Sequence, residues 1–190
     1  MPKPNWFFAF PLDGSFVLQL PALPSNFRRF HPDDVHLTLA FLGGCGQLGA
    51  ERALSALDER LAREPLSAMA VSLGEVVAMG GSRRSYTALS ALLNQGRAEA
   101  SGRIAALRDS LTRAASGRTD KRPPKPHVSI ARPRSRAREQ DREAGLIWAA
   151  SLQLQTVHAN LDRIALYTWS EDRRDRLFQI VAERRLVQNG

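Results

Sequence analysis

A four-residue pattern that occurs twice, His36-Leu37-Thr38-Leu39 and His127-Val128-Ser129-Ile130, limits what this chain can fold into more than any other feature. Each copy reads histidine, apolar, hydroxyl, apolar. Alternation with period two marks a strand with one buried face. His36 and Thr38 then share one face, as do His127 and Ser129, while Leu37, Leu39, Val128 and Ile130 turn into the core. One such pattern is commonly a solvent-facing pair. Two copies, 91 residues apart in a chain with only four histidines, form a symmetric polar site if the strands that carry them face each other. Both copies follow proline-containing entries, His31-Pro32-Asp33-Asp34-Val35 and Pro123-Pro124-Lys125-Pro126, and both precede a break and a helical stretch.

The rest of the chain alternates strands and helices without a steady β-α-β rhythm. Asn5 to Phe10 reads as a buried aromatic strand closed by Pro11, and residues 12–26, with Gly14, Pro21 and Pro24, offer no convincing helix. Phe27 to Phe30 reads as a short strand that leaves Arg28 and Arg29 exposed or facing a substrate. The first motif strand, His36 to Leu42, stops at Gly43-Gly44. Leu48 to Glu64 carries an apolar stripe (Leu54, Leu57, Leu61) at helical spacing, ended by Pro65. Strands are expected over 66–78 and 86–93. A second amphipathic helix follows over 98–115, with Ile104, Leu107 and Leu111 inward and Arg103, Arg108 and Arg113 largely outward. A third helix fits 136–151, and strand material in 154–168 and 177–187 flanks a charged turn over 170–176. This order predicts an α+β fold with antiparallel sheets.

At 190 residues the chain suits one domain, or two small lobes that share a core. No apolar run approaches the ~20 residues of a membrane helix, and the N-terminal apolar run is too short for a secretion signal. A single cysteine, Cys45 between Gly44 and Gly46, allows no internal disulfide and fits a reducing, cytoplasmic setting as a loop residue. The net charge is +8, and its placement matters more than its size. Between Arg103 and Arg138 there are eleven Lys and Arg against Asp109 and Asp120 alone, so the positive charge surrounds the second motif. Such a cluster is either a solvated surface or a funnel for a polyanion, most naturally nucleic acid.

Histidine is the one side chain whose ordinary pKa lets it act as base or acid near neutral pH. Two of them on opposite sides of a phosphate supply both roles for in-line displacement without a metal. Thr38 and Ser129, about 6.6–6.8 Å along the strand from their histidines, can donate to non-bridging oxygens as charge builds. A zinc site is poorly supported, since there is no His-x-His and no cysteine pair, and no Gly-x-Ser-x-Gly elbow points to a serine hydrolase. His31 and His158 match no motif and read as structural or exposed. Phe7 has one strand parity and Phe8 and Phe10 the other, so one set faces the cleft and the other the core. Tyr167 and Trp169 are open to the same two readings.

The paired motifs resemble those of the 2H phosphoesterases. His36-Leu37-Thr38-Leu39-Ala40-Phe41-Leu42-Gly43, with Phe7-Phe8-Ala9-Phe10 and Leu161-Asp162-Arg163-Ile164-Ala165-Leu166-Tyr167, is similar to the RNA 2′,3′-cyclic phosphodiesterase, or bacterial 2′-5′ RNA ligase, branch. The resemblance implies two pseudo-symmetric lobes around a central cleft, each giving one motif strand, and no cofactor. It implies His36 and His127 as catalytic residues, the first protonating the leaving oxygen and the second activating water. Thr38, Ser129 and Arg132 would contact the phosphate. Arg132 is five residues from His127, so strict alternation points it to the wrong face unless a bulge or strand end intervenes. Relatives usually carry a full helix where residues 12–26 stand, so this edge of the cleft looks trimmed. The expected partner is RNA with a cyclic phosphate or 2′-5′ linked end, taken by a monomer. The reading from another class is a non-catalytic RNA-binding module, which would not require both histidines.

Overall fold

The computed structural model describes residues 3–82 and 84–188. Nine strands form one sheet: β1 (Trp6–Pro11), β2 (Phe27–Arg29), β3 (His36–Gly43), β4 (Met69–Met79), β5 (Ala88–Gln95), β6 (His127–Pro133), β7 (His158–Leu161), β8 (Arg163–Trp169) and β9 (Phe178–Arg185). Three helices accompany it, α1 (Gly46–Arg63), α2 (Arg97–Ala114) and α3 (Glu139–Ala150). The strand order is β7-β4-β5-β6-β3-β1-β8-β9, with β2 added beside β6, and the strand pairs are antiparallel. The fold is α+β, as the element order predicts.

The two motif strands are neighbours at the middle of this order. One half of the sheet (β1, β3, β8, β9) contributes His36, and the other (β2, β4, β5, β6, β7) contributes His127. β7 and β8 form one run of chain broken at Asp162, yet β7 pairs with β4 and β8 with β1. The sheet therefore curls until its ends approach, and a bridge between Ser67 and Val187 ties them. Each half of the single sheet gives one motif strand, and the two motif strands lie side by side instead of facing each other across a gap.

The main core fills one face. Leu37, Leu39, Val128 and Ile130 are buried in it with Phe8, Phe10, Leu57, Ile104, Leu107 and Leu111. Burial of each such side chain is worth about 1.5–3 kcal/mol, which pins the strand register and turns the histidines to the opposite face. In α1 the innermost residues are Ala50, Ala53 and Leu57, with Leu54 and Leu61 half-buried beside them. α2 begins after Gly96, whose φ of 74° and close approach to Val71 and Ala70 leave no room for a side chain. Along α2, Arg113 is exposed as expected, but Arg103 and Arg108 are half-buried. Arg103 donates to the Ser67 carbonyl and Arg108 to that of Arg122. Residues 12–26 hold only a five-residue 3-10 turn, Ser15–Gln19.

Two irregularities shape the open face. In β3, Ala9 pairs with Thr38 but Phe8 with Ala40, so Leu39 is an extra residue. In β6, Ser90 pairs with Ser129 but Leu89 with Ala131, so Ile130 is extra. Each bulge buries two successive residues, Leu39 with Ala40 and Ile130 with Ala131, and reverses the alternation beyond them.

Candidate active site

Leu37 lies opposite Val128 in the antiparallel β3–β6 pair. Continuing that register by one residue each way sets His36 beside Ser129 and Thr38 beside His127, all on the open face. The four motif residues thus form a compact patch in which each histidine neighbours the other strand's hydroxyl. All four are half-buried. Ser129 Oγ lies 3.0 Å from Ser90 Oγ on β5.

Both rings are held in the same way. His36 Nδ1 is 2.7 Å from the Asp34 carbonyl oxygen, and His127 Nδ1 is 2.6 Å from that of Lys125. A carbonyl only accepts, so Nδ1 carries the proton in each ring and Nε2 is the nitrogen left for chemistry. The proline-containing entries present these carbonyls two residues before each histidine, which is the structural use of a feature visible in the sequence.

The surroundings differ. The His36 ring lies against Phe7, Tyr167 and Phe178, with centroid separations of 4.8, 5.3 and 5.6 Å. These aromatics belong to a small apolar cluster, Phe7, Ala9, Ala165 and Tyr167 with Phe178 and Ile180 packed on it, separate from the main core. Burial among them pushes the His36 pKa down to about 4. The bond to Asp34 opposes the shift, and positive charge on His127 adds to it.

Asp34, which the sequence did not single out, organises this side. Its carboxylate is buried and accepts from the backbone N–H groups of Leu177 and Phe178, at 2.7 and 3.0 Å. Burial raises its pKa, and those two hydrogen bonds hold it back. One residue therefore fixes the His36 tautomer through its carbonyl and anchors Phe178 against the His36 ring through its side chain. His31 takes the structural role, its Nδ1 accepting from the Asp33 N–H at 3.2 Å, and His158 is exposed on β7.

The β6 bulge settles where Arg132 points. With Ile130 and Ala131 both buried, Arg132 joins His127 and Ser129 on the open face. It is half-buried opposite Arg28 of β2, and no ion pair or hydrogen bond among the described residues engages its guanidinium. Burial, then the charges of Arg28 and Arg173, lower its pKa, with Asp34 opposing. Arg28 donates to the Arg173 carbonyl at 3.0 Å, and Arg173 stacks 4.2 Å from the Trp169 ring centre. The guanidiniums of Arg28, Arg132 and Arg173 gather here, and such a grouping favours an anion.

Two cavities meet at the patch. A groove of about 1100 Å³ runs from Thr38 and His127 along α2 to the loop of residues 118–125. A pocket of about 250 Å³ is lined by Phe7, His36, Thr38, Trp169, Arg173 and Phe178. The basic cluster of the sequence divides accordingly: Arg108, Arg118, Lys121, Arg122 and Lys125 line the groove. Arg134 and Arg136 instead bond Phe27 and Asn26 at the β6–α3 turn. Among the described residues no three His, Cys, Asp or Glu side chains converge to hold a metal ion, and no helix is long and apolar enough to cross a membrane.

Solved structures share this architecture. E. coli LigT complexed with 3′-AMP matches with a TM-score of 0.69 at 19% identity, over 98% of this chain and 100% of that one. TT0787 of Thermus thermophilus matches at 0.68 and 18%, over 98% and 100%. A further phosphoesterase structure matches at 0.67 and 22%, over 99% and 100%. No curated protein matches by sequence. The model of the 2′-5′ RNA ligase superfamily matches residues 23–173. With that match spanning most of its length, and with both histidine motifs and the fold in agreement, the chain belongs to the 2′-5′ RNA ligase superfamily of 2H phosphoesterases.

Proposed function

We propose that the protein is a metal-independent phosphodiesterase that opens RNA 2′,3′-cyclic phosphate ends to 2′-phosphates. The observation that carries this reading is the pair of imidazoles on adjacent strands, each fixed through Nδ1 so that Nε2 is free. A phosphate over the patch meets a nitrogen from either strand, the Thr38 and Ser129 hydroxyls, and the unpaired Arg132 guanidinium. In the assignment that follows the family likeness, His127 Nε2 takes a proton from water as its oxygen bonds to phosphorus. The bond from phosphorus to O3′ breaks, and O3′ leaves with a proton from Nε2 of His36, which in this assignment enters the step as the doubly protonated imidazolium. The hydroxyls and Arg132 offset the charge that accumulates on the non-bridging oxygens.

The reverse assignment has one observation in its favour. His36, with its pKa near 4, is uncharged in the free protein at neutral pH and so is ready to accept a proton. A p-nitrophenyl phosphodiester separates the two, because its leaving group needs no protonation. The alanine variant lacking the acid should keep most of its rate on that substrate, while the variant lacking the base should not. Loss of activity on chelation, restored by zinc or manganese, would overturn the metal-independent reading. A 3′-phosphate product would overturn the assignment of O3′ as leaving group. Hydrolysis of 2′-5′ linkages or RNA joining in place of ring opening would redirect the reading within the same site.

A further inference from the structure

Phe41 and Arg132 stand five residues after His36 and His127, each just beyond a bulge in its strand. The bulges do the same thing in both halves of the sheet: they return the residue at this position to the catalytic face. In β6 that residue is an arginine suited to phosphate. In β3 it is a phenylalanine left 56% exposed, forgoing much of the ~1.5–3 kcal/mol that its burial would contribute. Phe41 borders both the pocket and the groove. Beyond it the groove carries Arg118, Lys121 and Lys125, all exposed and without an acidic partner among the described residues. Its one acid, Asp120, is held by Arg122 at 2.6 Å.

An exposed aromatic at the head of an unpaired cationic groove is the composition that holds single-stranded nucleic acid, since every base has a face to stack and every nucleotide a phosphate. We propose that this groove is a binding track for a single RNA strand, with Phe41 stacking on a base and Arg118, Lys121 and Lys125 on the phosphates. This rests on the RNA-end reading above and narrows it: the substrate is a single-stranded oligonucleotide end, not a free cyclic nucleotide or a blunt duplex.

The test uses fluorescence anisotropy of a labelled decanucleotide ending in a 3′-phosphate, and KM for a cyclic-phosphate decanucleotide against the cyclic mononucleotide. Phe41→Ala should weaken decanucleotide binding about 5- to 150-fold, the range for losing one stacked base, and Phe41→Trp should restore it. Replacing Lys121 and Lys125 with glutamine should lower the salt slope by about 0.7 per charge. Both changes should raise the decanucleotide's KM by more than the mononucleotide's. Unchanged affinity in Phe41→Ala, or equal wild-type KM for the two substrates, would overturn the track while leaving ring opening intact. A blunt duplex bound as tightly as the single strand would also overturn it. If the wild type opened neither substrate, the activity reading would fall and the anisotropy series would still decide the track.

Discussion

The two histidines share a backbone device and differ in almost everything else. Each ring gives its Nδ1 proton to a carbonyl two residues back, and each sits one strand from the other's hydroxyl partner. Yet His36 is walled by Phe7, Tyr167 and Phe178 beside a small aromatic pocket, while His127 opens onto a large basic groove. A near-symmetric scaffold thus holds an asymmetric pair, the arrangement that the proposed acid–base reaction calls for. The symmetry fixes where the two nitrogens are, and the walls decide what lies beyond each, with the aromatic one lowering the pKa of His36.

The largest effect should come from removing either side of the comparison. His36→Ala and His127→Ala should each lower turnover by about 10²–10⁴-fold on cyclic-phosphate RNA, with folding intact by circular dichroism. Near-native turnover in either would mean that the two halves do not act as one site. Arg132→Gln should fall between these and the hydroxyl variants, because it removes an unpaired charge from the catalytic face. Thr38→Val and Ser129→Ala should cost less, since other donors remain. A Ser129→Ala loss as large as that of a histidine variant would make the hydroxyl indispensable.

The walls themselves make a sharper test. Because burial holds His36 near 4, a limb of kcat/KM should lie near that pH, with activity falling above it if His36 is the acid and below it if His36 is the base. Phe178→Ala admits water to the ring, which favours its charged form and moves the pKa up toward the ordinary value. The limb should therefore rise by a fraction of a unit or more. A limb that stays in place would show that the aromatic wall does not set His36. The smallest effect concerns the charge outside the groove. Arg134→Gln and Arg136→Gln should leave the salt dependence of RNA binding nearly unchanged, because those side chains are engaged at the β6–α3 turn. A slope flattened as much as by the Lys121 and Lys125 changes would place RNA on that turn too.

Much of this was legible in the sequence because it is local. Period-two alternation identified β3 and β6 and the faces of their histidines, and apolar spacing located α1 and α2. What escaped depends on partners distant in the chain. The bulges exist only in register with β1 and β5, so Arg132 could not be assigned a face and Phe41 drew no reading of its own. Asp34 reads as a turn residue until its carboxylate is seen on the Leu177 and Phe178 amides, far along the chain. The basic cluster read as one body of charge, either a solvated surface or a funnel, because charge counting does not see which arginines are already engaged.

The claim that His36 and His127 serve one phosphate is tested most directly by the double variant. If they act as a unit, His36→Ala with His127→Ala should lose little more kcat/KM on cyclic-phosphate RNA than the worse single variant, as groups acting together are strongly non-additive. Losses that multiply, each histidine contributing its full factor independently of the other, would contradict the shared site.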